Sequence, residues 1–211
     1  MRVLVTGASG FIGGWIARAL HERGNSVRAV YRREAAPPGL RELEEAGAET
    51  LRLDLTSRSG AAEAARGMDA VVHAAARTGD WGEPRHFREQ NYELTARVLE
   101  AAAGSGARTF VYIGSIAVHG FGVHRGTTEA GPYYPHVHPY QVTKKMAEDL
   151  VLSRNGAGLK SCVIRPGIVY GPGDTTTFYP LLDAQRRGVR GRSGAVTPSP
   201  ARCTSRTSSR R

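Results

Sequence analysis

The chain has 211 residues, 40% of them hydrophobic, enough for one α/β domain with a sizeable core. Its formal net charge of +10 is concentrated at one end: residues 186–211 hold eight arginines and no acid, so the charge is no argument for a nucleic-acid partner. No run of about 18 apolar residues could span a membrane, no signal-peptide pattern follows Arg2, and Cys162 and Cys203 make neither a metal spacing nor a disulfide framework; a cytoplasmic protein with no membrane partner is expected.

Residues 1–6 read as a short buried strand. Gly7-Ala-Ser-Gly10-Phe-Ile-Gly13 follows at once, and residues 15–23 read as an amphipathic helix. Strand, glycine-rich turn and helix start form the context that gives a G-x-x-G-x-x-G spacing its meaning. Gly7 turns the chain off the strand, Gly10 lets a pyrophosphate approach the backbone, and Gly13 lets the helix pack close to the sheet. The helix N-terminus offers free N–H groups to phosphate, so a dinucleotide site is expected here.

Strand and helix patterns then alternate. Strands are predicted at 26–31, 49–53, 70–73, 109–113 and 160–165, and helices at 40–46, 59–66, 87–103 and 140–154. Such alternation predicts parallel strands joined by right-handed crossovers, hence a doubly wound parallel sheet of the Rossmann type. The end of the second strand carries Tyr31-Arg32-Arg33 where NAD-specific folds place an acid. Two guanidiniums suit a ribose 2′-phosphate, which favours NADP, with NAD as the alternative. Asp54, after the third strand, is expected to accept from the adenine amino group, while helix capping falls to Thr56 or Ser57.

Tyr140-Gln-Val-Thr-Lys144 sets a phenol and an ammonium four residues apart on one helical face. A phenol's ordinary pKa is near 10. A neighbouring cation favours the phenolate and makes proton exchange feasible near neutral pH. Ser115, at the carboxyl end of the fifth strand, is placed to hold a substrate oxygen for exchange with Tyr140. His124, His136 and His138 lie in a Gly/Pro-rich loop; H-x-H spacing without a third ordered ligand makes no metal site.

Together these stretches resemble the extended short-chain dehydrogenases/reductases, the NAD-dependent epimerase/dehydratase family. The resemblance rests on Thr6-Gly-Ala-Ser-Gly-Phe-Ile-Gly13, Asp54-Leu55, His73-Ala-Ala-Ala76, Asn91, Ser115, Tyr140-x-x-x-Lys144 and Arg165-Pro-Gly-Ile-Val-Tyr-Gly-Pro-Gly173, and covers residues 1–187. It implies a catalytic set of Ser115, Tyr140 and Lys144, with Asn91 as the helix-disrupting asparagine that supports the lysine. It implies cofactor contacts at Gly7, Gly10, Phe11, Ile12, Gly13, Leu55, Ala74, Ala75 and Pro166, beside Arg32, Arg33, Asp54, Tyr140 and Lys144. His119 stands where many members have tyrosine and reads as a pocket-wall variation.

Thr78-Gly-Asp-Trp-Gly82 and Pro139-Tyr140 resemble the 3β-hydroxysteroid dehydrogenase-like branch, and Arg28-Ala-Val-Tyr-Arg32 the dihydroflavonol 4-reductases. Both imply hydride exchange at a secondary alcohol or ketone on a bulky small-molecule substrate. Nucleotide-sugar epimerases share the catalytic residues and are the alternative. A homodimer through 87–103 and 140–154 is the family's usual arrangement.

From Gly188 the composition becomes Gly, Arg, Ser, Thr, Pro and Ala, with Val189 and Val196 the only aliphatics larger than alanine. Residues 188–211 are expected to form a disordered basic tail beyond a domain at 1–187. The abrupt change reads as a shifted reading frame or an equivalent truncation from about residue 189. The resemblance would place about a hundred residues of substrate domain there. An impaired enzyme or an inactive cofactor-binding fragment is the expectation that follows.

Overall fold

A computed structural model of the chain describes residues 1–79, 81–156, 158–175 and 178–188. The expected tail from 189 onward lies outside the described residues. Six strands form one sheet in the order β3-β2-β1-β4-β5-β6: β1 (Arg2–Thr6), β2 (Ser26–Tyr31), β3 (Glu49–Arg52), β4 (Ala70–His73), β5 (Thr109–Ile113) and β6 (Lys160–Ile164). Every pairing is parallel, with Thr6 opposite both Val30 and His73. Strand order therefore reverses between β1 and β4, and a crevice opens at their carboxyl ends.

Both faces of the central strands are buried, as their short apolar runs require. Alternate residues serve opposite layers. Leu4, Val30 and Val71 face α3 (Arg58–Ala65), α5 (Leu94–Gly104) and α6 (Pro139–Ser153). Val3, Val5 and Val72 face α1 (Phe11–Glu22) and α2 (Pro38–Glu45). A short α4 (Pro84–Phe87) precedes α5, and α7 (Phe178–Arg186) closes the described chain.

The predicted elements are all present, with shifted ends. α1 starts at Phe11, four residues before the expected start, because Gly10 already serves as its N-cap. The predicted helix 87–103 is not one regular helix: Arg88–Glu93 winds as a π-helix between α4 and α5. Two elements went unpredicted, α7 and a 3₁₀ turn at Ile116–His119. The latter has the few residues that such turns usually have, too few for a periodic apolar signal.

The glycine loop shows one departure from expectation. Gly7 adopts φ +68°, and a β-carbon there would stand 2.6 Å from the Ala75 nitrogen. A β-carbon on Gly13 would overlap the Gly7 carbonyl oxygen and stand 2.7 Å from the carbonyl carbon. Gly13 thus packs the helix against the turn itself. Gly13→Ala should cost about 3 kcal/mol through this backbone overlap, despite alanine's better helix propensity. Gly104→Ala, where nothing lies within 4 Å, is the control and should not destabilise. Urea melts of both variants test the contrast; an unperturbed Gly13→Ala would contradict the packing.

Candidate active site

The carboxyl ends of β1, β2 and β4 surround a cleft of about 300 Å³. Its walls include Gly7, Gly10, Arg32, Arg33, Asp54, Leu55, Ala74 and Ala75, which the sequence had assigned to one ligand. Gly10 caps α1 without a side-chain hydrogen bond, leaving the first-turn N–H groups to a ligand. Arg32 Nη1 donates to Gln90 Oε1 at 2.9 Å. Asp54 Oδ1 accepts from the Thr56 hydroxyl at 2.7 Å and the Thr56 N–H at 3.0 Å, and these bonds hold its carboxyl below the usual range. Ser57 is the N-cap of α3, accepting from Gly60 N–H at 3.0 Å. The cap of α3 is thus Ser57 and not Asp54, which lines the cleft.

A second, larger cavity of about 1170 Å³ runs on from β5 and β6. Ser115 and Tyr140 line it, together with Phe11, Ile12, His119 and His138. Ser115 is the N-cap of the 3₁₀ turn, its Oγ accepting from Ala117 N–H at 3.1 Å. Pro166 ties that turn to the segment after β6 by accepting from Ile116 N–H at 3.0 Å. Tyr140 sits in the first turn of α6. A capping box locks this turn: the His138 ring accepts from the Gln141 backbone, while Gln141 Oε1 accepts from His138 N–H. Pro139 at the helix start has a preset φ and no N–H to lose.

Lys144 lies one turn beyond Tyr140 and is 2% exposed. Its Nζ donates to the Ile113 carbonyl at 2.6 Å and stands 4.2 Å from the Tyr112 ring centre. Burial pushes the ammonium's pKa down to about 7, with the Glu148 carboxylate opposing the shift. Tyr112 is buried too, which raises its pKa and keeps it a neutral phenol. His73 is clamped between the Thr6 hydroxyl at 2.7 Å and the Thr95 hydroxyl at 3.0 Å. Burial, and then the Lys144 charge, push its pKa to about 3, so the imidazole is neutral.

Asn91 occupies the π-helical turn, as expected of a residue that disrupts the helix. Its Oδ1 accepts from Arg77 N–H at 2.7 Å, and its Nδ2 donates to the Arg77 carbonyl and to the Thr143 hydroxyl, both at 3.1 Å. The amide thus fixes the loop after β4 to α6, one residue before Lys144. Among the loop histidines, His124 and His136 bond the Gly120 and Val118 carbonyls and His138 caps α6.

The sequence reading gave no role to one charged pair. Glu148, its side chain 1% exposed, binds Arg165 through both oxygens, at 2.6 and 2.9 Å. Residues 140, 144 and 148 share one stripe of α6. A third polar residue on the stripe facing the sheet was the available signal.

A parallel sheet with a switch-point crevice and a glycine-loop helix start defines a Rossmann-type nucleotide-binding protein. The chain belongs to the NAD dependent epimerase/dehydratase family, whose profile matches residues 3–186. It is 34% identical over 196 residues to the 2-alkyl-3-oxoalkanoate reductase of Stenotrophomonas maltophilia, covering 89% of this chain and 57% of the relative. It is 33% identical over 197 residues to the 3 beta-hydroxysteroid dehydrogenase/Delta 5-->4-isomerase of Mycobacterium tuberculosis, covering 89% and 52%. The chain thus spans about half the length of these curated relatives. Among solved structures, MoeE5 in complex with UDP-glucose and NAD matches with a TM-score of 0.76 at 32% identity, covering 89% of this chain and 62% of that one. The UDP-glucuronic acid 4-epimerase of Bacillus cereus in complex with NAD matches with a TM-score of 0.78 at 25% identity, covering 89% and 63%. No described helix is long and apolar enough to cross a membrane.

Proposed function

We propose that the chain carries the cofactor-binding and proton-transfer half of an NADP-linked reductase or dehydrogenase. Its substrate is a secondary alcohol or ketone on a bulky apolar molecule. One observation carries the reading: Ser115 and Tyr140 line the same cavity, with Lys144 one helical turn behind the phenol. Gly7, Gly10 and the α1 N-terminus hold the pyrophosphate, Ala74, Ala75, Asp54 and Leu55 the adenosine, and Arg32 and Arg33 the 2′-phosphate. The nicotinamide, when bound, gives or takes the hydride. Ser115 Oγ holds the substrate oxygen, Tyr140 Oη gives or takes its proton, and the Lys144 ammonium favours the phenolate.

The 3-oxo and 3β-hydroxy chemistry in the relatives' names supports the ketone reading. Turnover of NADPH with a 2-alkyl-3-oxoalkanoate and with a 3-oxosteroid tests it. The second reading is a nucleotide-sugar epimerase, favoured by the likeness to structures holding UDP-sugar and NAD. UDP-glucose is the matching probe, and epimerisation without net cofactor oxidation would replace the first reading.

The preference for NADP gives a prediction. The double variant Arg32→Ala, Arg33→Ala should weaken NADPH binding by about 10- to 100-fold and leave NADH nearly unchanged, the loss of about one charge-assisted bond of 1.5–3 kcal/mol. Fluorescence titration with both cofactors reads it. Tighter binding of NADH by the wild-type chain would contradict it.

A further inference from the structure

Arg165, one residue past β6, makes five hydrogen bonds, one for each N–H a guanidinium carries. Nε and Nη2 hold the two oxygens of Glu148 on α6. Nη2 also donates to the Tyr133 hydroxyl at 2.8 Å. Nη1 donates to the Glu129 carbonyl at 3.1 Å and to His119 Nε2 at 2.9 Å. His119 is therefore an acceptor at Nε2, which leaves its proton on Nδ1, facing the Pro132 carbonyl at 3.2 Å. Its ring stacks on Tyr133 with centroids 5.0 Å apart. One side chain thus joins the helix that bears Tyr140 and Lys144 to the loop that walls the cavity.

Glu148 lies on the inner side of this joint. Its Oε2 is 3.5 Å from where a β-carbon on Gly114 would stand, beneath the turn between the Ile113 carbonyl that receives Lys144 and the Ser115 hydroxyl. The other titratable groups around Lys144 are His73 from β4 and Tyr112 from β5, both neutral, and Tyr140 on its own helix; Arg165 stands behind Glu148. Among the described residues Glu148 is the carboxylate that acts on the lysine. A buried ion pair is a poor stabiliser compared with apolar residues of similar volume, which points to another use for it.

We propose that Glu148, held by Arg165, is a positioning residue that keeps Lys144 charged for cofactor binding, coupling the lysine to the His119–Glu129 wall of the cavity. The inference rests on the reading that Lys144 contacts the cofactor. NADPH affinity, with NADH in parallel, is measured by fluorescence from about pH 5 to 10 on the full chain, a range that brackets a midpoint near 7 and one a unit lower. The wild-type affinity should fall on the alkaline side as Lys144 loses its proton. Glu148→Gln should move that midpoint down by about one pH unit, the scale of an opposite charge a few ångströms away. The double variant Glu148→Gln, Arg165→Met removes the charge without leaving a buried cation, so it tests the idea even if the single variant melts early. It should lower the midpoint in the same direction but by less, because the Arg165 cation is gone as well. A merely structural pair would weaken binding at all pH values without moving the midpoint. A wild-type midpoint that both variants leave in place overturns this proposal alone. A wild-type affinity with no alkaline midpoint overturns the Lys144 reading, and this proposal with it.

Discussion

Tyr140→Phe is expected to lower kcat for ketone reduction by about 10²–10⁴-fold, the usual contribution of a positioned acid or base. The substitution removes one oxygen and keeps the ring, so packing in the first turn of α6 should survive. That turn is held by His138, Gln141 and Pro139. KM and cofactor affinity should therefore change little. A large fall in kcat with an intact melting curve is the pattern of a lost proton-transfer group. Steady-state kinetics and thermal denaturation of the same preparation read both. Turnover within a few-fold of wild type would remove Tyr140 from the chemistry.

Lys144→Met should abolish turnover while changing the pH dependence of folding. The lysine's pKa is about 7 in the fold, lowered chiefly by burial, and about 10.4 in an unfolded chain. Between these values the unfolded chain binds the extra proton, so wild-type stability rises with pH across about 7–10 on this account. Below about pH 7 the fold carries the full penalty of the buried ammonium. Methionine has nothing to titrate. The stability of Lys144→Met relative to wild type should be greatest at or below pH 7, and that advantage should shrink by about 1.4 kcal/mol per pH unit up to pH 10. The lost bond to the Ile113 carbonyl shifts the whole curve and not its slope. Urea denaturation at four pH values measures the slope. A difference independent of pH would mean that Lys144 titrates in the fold as it does unfolded.

The sheet and the cleft at its carboxyl edge were legible because their signals are local. A glycine triplet beside a strand, arginines at a strand end and an apolar run of four residues can each be read from neighbours in sequence. Arg32, Arg33, Asp54 and Ala74 line one cleft. The buried network was less legible because its members meet only through the fold. Glu148 and Arg165 are 17 residues apart, and His73 meets Thr6 across 67. Spacing places Glu148 on the stripe of Tyr140 and Lys144, but it does not name the partner that the fold brings to it. Gly13 was read as a contact with the sheet because spacing shows that a side chain must be absent without showing what occupies the space. The π-helical turn did not show in the apolar period of 87–103, and only the resemblance pointed to a disruption at Asn91.

The position of β1 has a consequence for how the chain is made. β1 is made before either of its neighbours and lies in the middle of the sheet, between β2 and β4. Its pairing with β2 needs the chain only to Tyr31, but its other edge stays open until His73 exists. Ribosomes add about 5–20 residues per second, so the two events are seconds apart, far longer than hairpin formation or collapse. For those seconds a nascent chain carries an apolar strand with one unpaired edge and no covering helix on that side. Shielding that edge until His73 has been made is expected to raise the yield of folded chain, which translation with and without a chaperone measures.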